Sequence, residues 1–144
     1  MKISKKQVLT VAGILVALAV LIQLIPLPGR GNNPAVIAEP KWDSPQTRTL
    51  VKRACFDCHS NETTWPWYSY VAPVSWLIYH DVMEGRQRLN FSEWSSSQFG
   101  AMEAAEKINS GEMPPAYYLP IHPSAQLTQA EKQQLITGLN NTFK

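Results

Sequence analysis

The sequence predicts an all-α protein in which a single apolar helix precedes one small helical domain. Three observations indicate this: a long apolar run near the N-terminus, helix caps with apolar residues at helical spacing further along, and flanks without alternating β-rich runs. The part of the chain after residue 42, about one hundred residues, suffices for one domain but buries little surface unless a cofactor adds to it.

The first element is the apolar run Val8–Ile25, which reaches the lower end of the length that spans a bilayer as a helix. Lys2, Lys5 and Lys6 stand before it, and positive charge on the short side of a span orients that side to the cytoplasm. These features predict a single-pass protein of the bacterial inner membrane with its C-terminal domain in the periplasm. A cleaved signal peptide is the alternative, with small residues at 36–38 as its cleavage site.

Composition divides the chain into three parts. Residues 1–25 are predicted to be the membrane anchor (or an uncleaved signal), 26–42 a Pro- and Gly-rich extended tether, and 43–144 the helical domain. Beyond Arg30 the chain has nine Lys and Arg against eleven Asp and Glu, so its exported part is not basic. A nucleic-acid partner is therefore not expected.

The helices of the domain are predicted from caps and spacing. Ser44 before Pro45 is typical of an N-cap and first helical position, and opens a short helix that leads into Cys55. Apolar residues recur at helical spacing over Val74–Arg88, which predicts a second helix.

A third helical pattern covers Ser92–Ile108, with Met102, Ala105 and Ile108 on one face and residues 109–111 as the stop. Thr128 with Glu131 three residues later forms a capping box for a final helix. The sequence thus predicts four helices in the domain.

The most informative motif is Cys55-Phe56-Asp57-Cys58-His59. Two thiols three residues apart, followed at once by an imidazole, are the attachment signature of a c-type haem. The cysteine sulfurs form thioethers with the haem vinyl groups, and the histidine ligates the iron. The motif predicts one covalent haem c per chain, bound by Cys55 and Cys58 and ligated by His59.

Other uses of a CxxC pair are half of a zinc site, a thioredoxin-type dithiol and a simple disulfide. Zinc needs two further ligands, and the chain supplies no third cysteine, only His80 and His122 in distant contexts. A dithiol motif is expected near a βαβ pattern, which the flanks of this motif lack.

An electron-carrying iron needs a second axial ligand, for which Met113 is the first candidate. It lies in Gly-Glu-Met-Pro-Pro, where a glycine that ends a helix and two prolines restrict the backbone. Met83 and Met102 lie inside helical patterns, where methionine more often fills a core. His80 is the alternative distal ligand, and His122 is a third possibility that can instead bond a backbone carbonyl or a haem propionate.

Aromatic residues crowd the segment just after the motif, where they are expected either to pack as ordinary core or to wall the haem. Propionates can be bound by guanidinium or phenol groups, and the sequence does not choose among the candidates. The aromatic residues are Trp65, Trp67, Tyr68, Tyr70, Trp76 and Tyr79, and the propionate candidates are Arg86, Arg88, Tyr117 and Tyr118.

Several segments together resemble the bacterial haem-binding domain family of c-type-cytochrome-like proteins. They are CFDCHSNETTWPWYSYVAPVSW from Cys55, GRQRLNFSEW from Gly85, GEMPP from Gly111, and the segment from Tyr118 through IHPSAQLT, which begins at Ile121. The resemblance covers roughly residues 39–139. It implies a cytochrome-c-like helical fold, covalent haem through Cys55 and Cys58, proximal His59 and, by analogy with cytochromes c, distal Met113.

These observations predict a membrane-anchored mono-haem c-type cytochrome that transfers single electrons in the periplasm to and from redox partner proteins at the membrane, and is not an enzyme. One alternative is a haem-based sensor in which a weakly held Met113 yields to a small ligand. Another is a peroxidase-like haem protein, which needs an acid–base group such as His80 near an open iron.

Overall fold

The computed structural model describes residues 4–94 and 98–144, and in this part of the chain the secondary structure is helical, with no strand. Within the described residues, Ala38 and Glu93 form an isolated parallel β-bridge. The all-α prediction is therefore confirmed. The α-helices are α1 (Lys5–Leu21), α2 (Pro45–Ala54), α3 (Phe56–His59), α4 (Val74–Arg88), α5 (Ala101–Asn109) and α6 (Gln129–Thr142).

The described chain forms two compact units. The smaller unit contains residues 4–32 and 65–80, and the larger unit contains residues 33–64 and 81–144. Helix α4 contributes residues to both.

The smaller unit begins with α1, which a capping box between Ser4 and Gln7 starts. A 3₁₀ turn, Ile22–Leu24, continues it. Together Lys5–Leu24 form a 20-residue helix of mean hydropathy 2.3, none of it buried within the protein. By length and composition this helix can cross a membrane or serve as a signal sequence.

Helices α2 and α6 of the larger unit begin where their caps predict. Ser44 accepts a hydrogen bond from the Thr47 backbone N–H with Pro45 in the first turn, and Thr128 and Glu131 form the predicted capping box. Helix α6 packs against α2 and α5. The prediction of helix α4 over residues 74–88 is likewise confirmed.

Helix α5 begins at Ala101, so the predicted start at Ser92 is wrong, and residues 95–97 of that prediction lie outside the described part of the chain. Gln98 explains the late start, because its side chain accepts a hydrogen bond from Asn90 N (2.9 Å) and donates one to Glu93 O (3.1 Å). Such side-chain bonds to the backbone compete with helix formation.

The inner face of α5 also differs from the prediction. Ala101, Ala105 and Ile108 are buried, whereas Met102 is 79 % exposed. The predicted stop is correct, since Gly111 has a φ of 78°, which a glycine adopts without strain.

The core of the larger unit is centred on Phe91. Its ring lies 5.4 Å from Trp42 and 5.8 Å from Phe56, and it stacks on Trp94 at 6.2 Å between ring centroids. Close aromatic pairs of this kind stabilise a core beyond the area they bury. The other buried residues of the cluster are Leu50, Val51, Leu89, Ala101, Ala105, Ile108, Leu135 and Leu139.

The second half of the predicted tether is bonded to the larger unit. Ile37 N donates to Ser92 O (2.8 Å), Trp94 N donates to Ala38 O (3.0 Å), and Glu39 pairs with Arg48 at 2.6 Å. The backbone is extended here, as a Pro-rich composition indicates, but composition does not reveal that an extended segment is also bound.

Candidate functional site

The cysteine and histidine motif is formed by the end of α2 and by α3. Helix α2 ends at Ala54, and the Cys55 N–H still donates to Val51 O (2.8 Å). Cys58 N and His59 N then both donate to Cys55 O, at 3.2 and 2.9 Å. The motif is therefore one tight turn, and both cysteines carry free thiols.

The His59 ring is positioned by two backbone carbonyls. Its Nδ1 lies 3.0 Å from Gly85 O and 3.0 Å from Leu89 O, both at the end of α4. Because a carbonyl can only accept, Nδ1 carries the proton and Nε2 keeps a lone pair. Burial lowers the pKa of His59, which favours the neutral ring that metal ligation requires.

Gly85 allows α4 to pass close to the motif. A Cβ at this position would lie 2.5 Å from Cys58 O, closer than real Cβ atoms approach other atoms, and 3.1 Å from Cys58 Cβ, a tight contact. No role for Gly85 was predicted from the sequence. A helical glycine alone does not show which backbone approaches it.

Cys55, Cys58 and His59 line one cavity of about 410 Å³, within the range of about 300–1,000 Å³ that cofactor sites occupy. One face of α4 contributes Asp81, Glu84, Gly85 and Arg88, at the i, i+3, i+4 and i+7 spacing of neighbours on a helix. Apolar walls come from several elements, namely Ala54, Leu89, Phe91, Ala104, Ile108 and Leu139.

Met113 lines the same cavity as His59. Its backbone N–H donates to Lys107 O (3.0 Å), and the neighbouring Glu112 carboxylate accepts from Lys107 Nζ at 2.7 Å. The methionine loop is thus attached to the last turn of α5. Met83 and Met102 are exposed and do not line the cavity.

The other two histidines are not among the cavity-lining residues. His80 is exposed and belongs to the smaller unit. It precedes Asp81 on α4 and so falls off the cavity-lining face, which repeats every three or four residues. The ring of His122 stacks on Tyr118 with ring centroids 3.7 Å apart, and its Nδ1 lies 2.9 Å from Tyr118 O. A hydrogen bond to a backbone carbonyl is one of the two roles predicted for His122.

The polar residues at the cavity form pairs with one another. Tyr118 Oη donates to Asp57 Oδ2 (2.6 Å), and Tyr117 Oη donates to Asp81 Oδ2 (3.0 Å). Burial and the Asp81 carboxylate raise the pKa of Tyr117 to about 12. Neither aspartate was predicted from sequence, because a carboxylate on a helix is usually a solvated surface residue.

Arg86 does not line the cavity, so it is not placed to bind a propionate there. Its guanidinium donates to Ser60 O (2.8 Å), Thr63 Oγ1 (2.9 Å) and Asn33 Oδ1 (2.9 Å). It therefore fixes the segment that follows the motif. Of the predicted propionate partners, Arg88, Tyr117 and Tyr118 do line the cavity.

A buried network of hydrogen bonds connects the motif to residues 90–92. Asn90 Nδ2 donates to Asn61 Oδ1 (2.9 Å), Asn61 N donates to Ser92 Oγ (2.9 Å), and Phe91 N donates to His59 O (2.8 Å). Buried polar groups that are satisfied in this way specify one arrangement of the backbone. Sequence gave no signal for the network, since its members are far apart along the chain.

The aromatic residues after the motif belong to a different unit from the residues that line the cavity. Trp65, Trp67, Tyr68, Tyr70, Trp76 and Tyr79 all belong to the smaller unit, and none is among the lining residues. Spacing along the chain predicted proximity to the motif, but the chain turns into a separate unit at Trp65.

A haem fits the residues of this cavity better than the alternatives do. One cavity contains two free thiols, an imidazole whose Nε2 lone pair is available, and apolar walls. In residues 4–94 and 98–144, no three His, Cys, Asp or Glu side chains cluster as a metal-ion site. That finding gives the zinc alternative no support.

Comparison with known proteins agrees with this chemistry. The family model described as "Haem-binding domain" matches residues 17–141, most of the chain. No curated protein and no solved structure has a significant match. From the family match and the cavity that joins Cys55, Cys58 and His59, the chain belongs to the haem-binding domain family.

Proposed function

We propose that the protein is a mono-haem c-type cytochrome, anchored in the bacterial inner membrane, that transfers single electrons on the periplasmic side. The observation that carries the proposal is the arrangement of Cys55, Cys58 and His59 along one cavity, with His59 Nδ1 already bonded to two carbonyls. A ring oriented in this way presents Nε2 as its remaining ligand atom.

Cys55 and Cys58 would hold the haem through thioether bonds, and His59 would be the proximal ligand. When bound, the haem supplies an iron that alternates between two oxidation states by one electron. Both cysteines are partly buried, and desolvation raises the pKa of each thiol to about 12, so they are neutral at physiological pH. The apolar walls restrict water at the cavity, which favours a raised reduction potential.

Met113 is the proposed distal ligand. It lines the cavity that His59 lines, and the Lys107–Glu112 pair restrains its loop at the end of α5. A thioether from a restrained loop keeps the same coordination in both oxidation states, which reduces the reorganisation that electron transfer requires. His80, the alternative ligand, is not among the cavity-lining residues.

Helix α1 supports the membrane part of the proposal. The Lys5–Leu24 helix has the length and hydropathy of a span, with basic residues before it. Attachment to a membrane raises the effective concentration of redox partners embedded in or docked on the same membrane. No bond of a substrate is broken in this function.

Intact-mass measurement of protein produced with a cytochrome c maturation system tests the proposal. We expect wild-type protein to carry the mass of one haem, and Cys55→Ser/Cys58→Ser protein to lose it. Each single serine variant should retain at most one thioether, seen as a shifted reduced α-band. Bare wild-type chain in the exported fraction would overturn covalent attachment.

A sensor function is the second candidate, because the Met113 side chain is 37 % exposed and so open to displacement. Carbon monoxide separates the two functions. Tight, rapid binding of carbon monoxide to the reduced protein would favour a sensor. A reduced spectrum that does not change when carbon monoxide is added would favour the electron carrier. The peroxidase-like alternative needs an acid–base group such as His80 near an open iron, and steady turnover of peroxide with a reductant at enzyme-like rates would favour it.

A further inference from the structure

The smaller unit exposes an unusually apolar segment. Residues 65–79 contain no charged side chain, although they include three Trp and three Tyr. Trp67 is 77 % exposed, and Tyr70, Val71, Val74 and Leu77 are between 43 % and 48 % exposed. Five exposed apolar or aromatic side chains within residues 67–77 are more than scattered single ones, and such a concentration indicates a surface that something covers.

The same unit joins this segment to the end of the apolar helix. Gln23 Nε2 donates to Ala72 O (3.1 Å), and Ala72 N donates back to Gln23 Oε1 (2.9 Å). Tyr79 Oη donates to Pro28 O (2.8 Å), and the Arg30 guanidinium lies 5.5 Å from the Tyr70 ring centroid. The aromatic segment is therefore fixed at the point where the apolar helix ends.

The length of that helix locates the segment relative to a bilayer. Twenty residues at about 1.5 Å each span about 30 Å, which is the thickness of the hydrocarbon core. With Lys5 and Lys6 on the cytoplasmic side, Gln23 lies at the opposite boundary of the hydrocarbon. The segment bonded to Gln23 is then at the level of the outer lipid headgroups.

We propose that residues 65–79 form a membrane-interface seat, in which Trp67, Val71 and Val74 enter the headgroup and upper acyl region of the bilayer that α1 spans. Trp and Tyr suit this region because each has an apolar ring and a polar tip. Since the segment is uncharged, the seat binds neutral lipids without needing an anionic headgroup. This inference rests on the membrane anchor of the proposed function.

Cysteine accessibility tests the seat. The haem-loaded full chain is reconstituted in phosphatidylcholine vesicles at low protein-to-lipid ratio, as Val71→Cys or Val74→Cys, and treated with a membrane-impermeant maleimide. We expect labelling at least about tenfold slower than for Gln87→Cys, an exposed control on the same helix as Val74. Val71→Cys in a Trp67→Ser background should label faster than Val71→Cys alone, because one interface anchor is lost.

Three controls separate the possible failures. Leu15→Cys should resist the reagent if α1 is inserted; rapid labelling at both Leu15 and Val71 would overturn the anchor together with the seat. Protection at Leu15 with rapid labelling at Val71 and Val74 would overturn the seat alone. Labelled wild-type protein would show that Cys55 and Cys58 carry no haem, and protection that rises with protein-to-lipid ratio would assign the surface to a second copy and reject the seat.

Discussion

Gly85 of α4 approaches Cys58 so closely that a β-carbon on it would lie 2.5 Å from the Cys58 carbonyl oxygen. The Gly85 carbonyl in turn accepts from His59 Nδ1 at 3.0 Å. One residue thus sets both the separation of α4 from the motif and the orientation of the imidazole.

Gly85→Ala should destabilise the protein. At a solvent-exposed helical position, replacing glycine by alanine would stabilise the folded protein by about 0.5–1 kcal/mol. Here the added methyl group would overlap backbone atoms, which typically costs about 1–3 kcal/mol. Thermal unfolding of the haem-loaded variant, followed by circular dichroism, should show a lower midpoint. Gln87→Ala, at an exposed position of the same helix, is the control and should change little. A Gly85→Ala protein as stable as wild type would contradict the close approach.

Met113→Ala should change the iron ligand and leave the fold intact. We expect the oxidised variant to lose the weak long-wavelength band that a methionine sulfur gives, because Met113 lines the cavity. Met102→Ala is the matched control, since Met102 is 79 % exposed and does not line the cavity. Absorption spectra of both oxidised variants test this assignment. An unchanged Met113→Ala spectrum would mean that another residue is the distal ligand.

Gly138 on α6 is predicted to be coupled to Thr47 on α2. A Cβ at Gly138 would overlap Thr47 Oγ1 and lie 2.7 Å from Thr47 Cγ2. Gly138→Ala should therefore be destabilising, and Thr47→Ala in the same chain should recover part of the loss. A double-mutant cycle on unfolding free energies should give a coupling of about 0.5–3 kcal/mol, the range for contacting residues. Additive effects would mean that α2 and α6 do not pack at this point.

Glu131 should make stability depend on acid pH. The Arg53 guanidinium, with the Thr128 N–H and hydroxyl, lowers the pKa of Glu131 from 4.5 to about 2. A carboxylate whose folded pKa is depressed stabilises fully above its unfolded pKa and loses that contribution as pH falls through the folded value. The contribution should therefore disappear between about pH 4.5 and 2.

The Glu131→Gln variant tests this dependence, because glutamine also completes a capping box but does not titrate. Unfolding midpoints of wild type and variant should differ near pH 6 and converge towards pH 2. A difference that stays constant over this range would show that the Arg53–Glu131 pair, 2.7 Å apart, does not supply the stabilisation.

Local signals made most of the helices predictable. The Ser44 and Thr128 caps are complete within a few residues, so α2 and α6 follow from short stretches of sequence. The start of α5 was not predictable, because Gln98 forms side-chain bonds to Asn90 and Glu93 that the apolar pattern does not encode. Periodicity detects a buried face but not a competing hydrogen bond.

The candidate site was predictable in its ligands but not in their support. The CxxCH motif names Cys55, Cys58 and His59 because the chemistry needs those residues at that spacing. The partners Gly85, Asp57 and Asp81 were missed, because their roles depend on which elements meet in space. Arg86 was one of four candidates for a propionate partner, but its guanidinium donates to Ser60, Thr63 and Asn33 of the protein.

The two acceptors at His59 Nδ1 are main-chain oxygens, and this limits what can alter the ring. A carboxylate in the same place would draw the proton away and give the ring imidazolate character, whereas a peptide oxygen is far too weak a base to do so. A peptide oxygen is also not part of a side chain that a mutation would replace, and it does not titrate near neutral pH. The electronic character of this imidazole is therefore insensitive to acidification of the compartment and to side-chain substitutions that leave these two carbonyls in place.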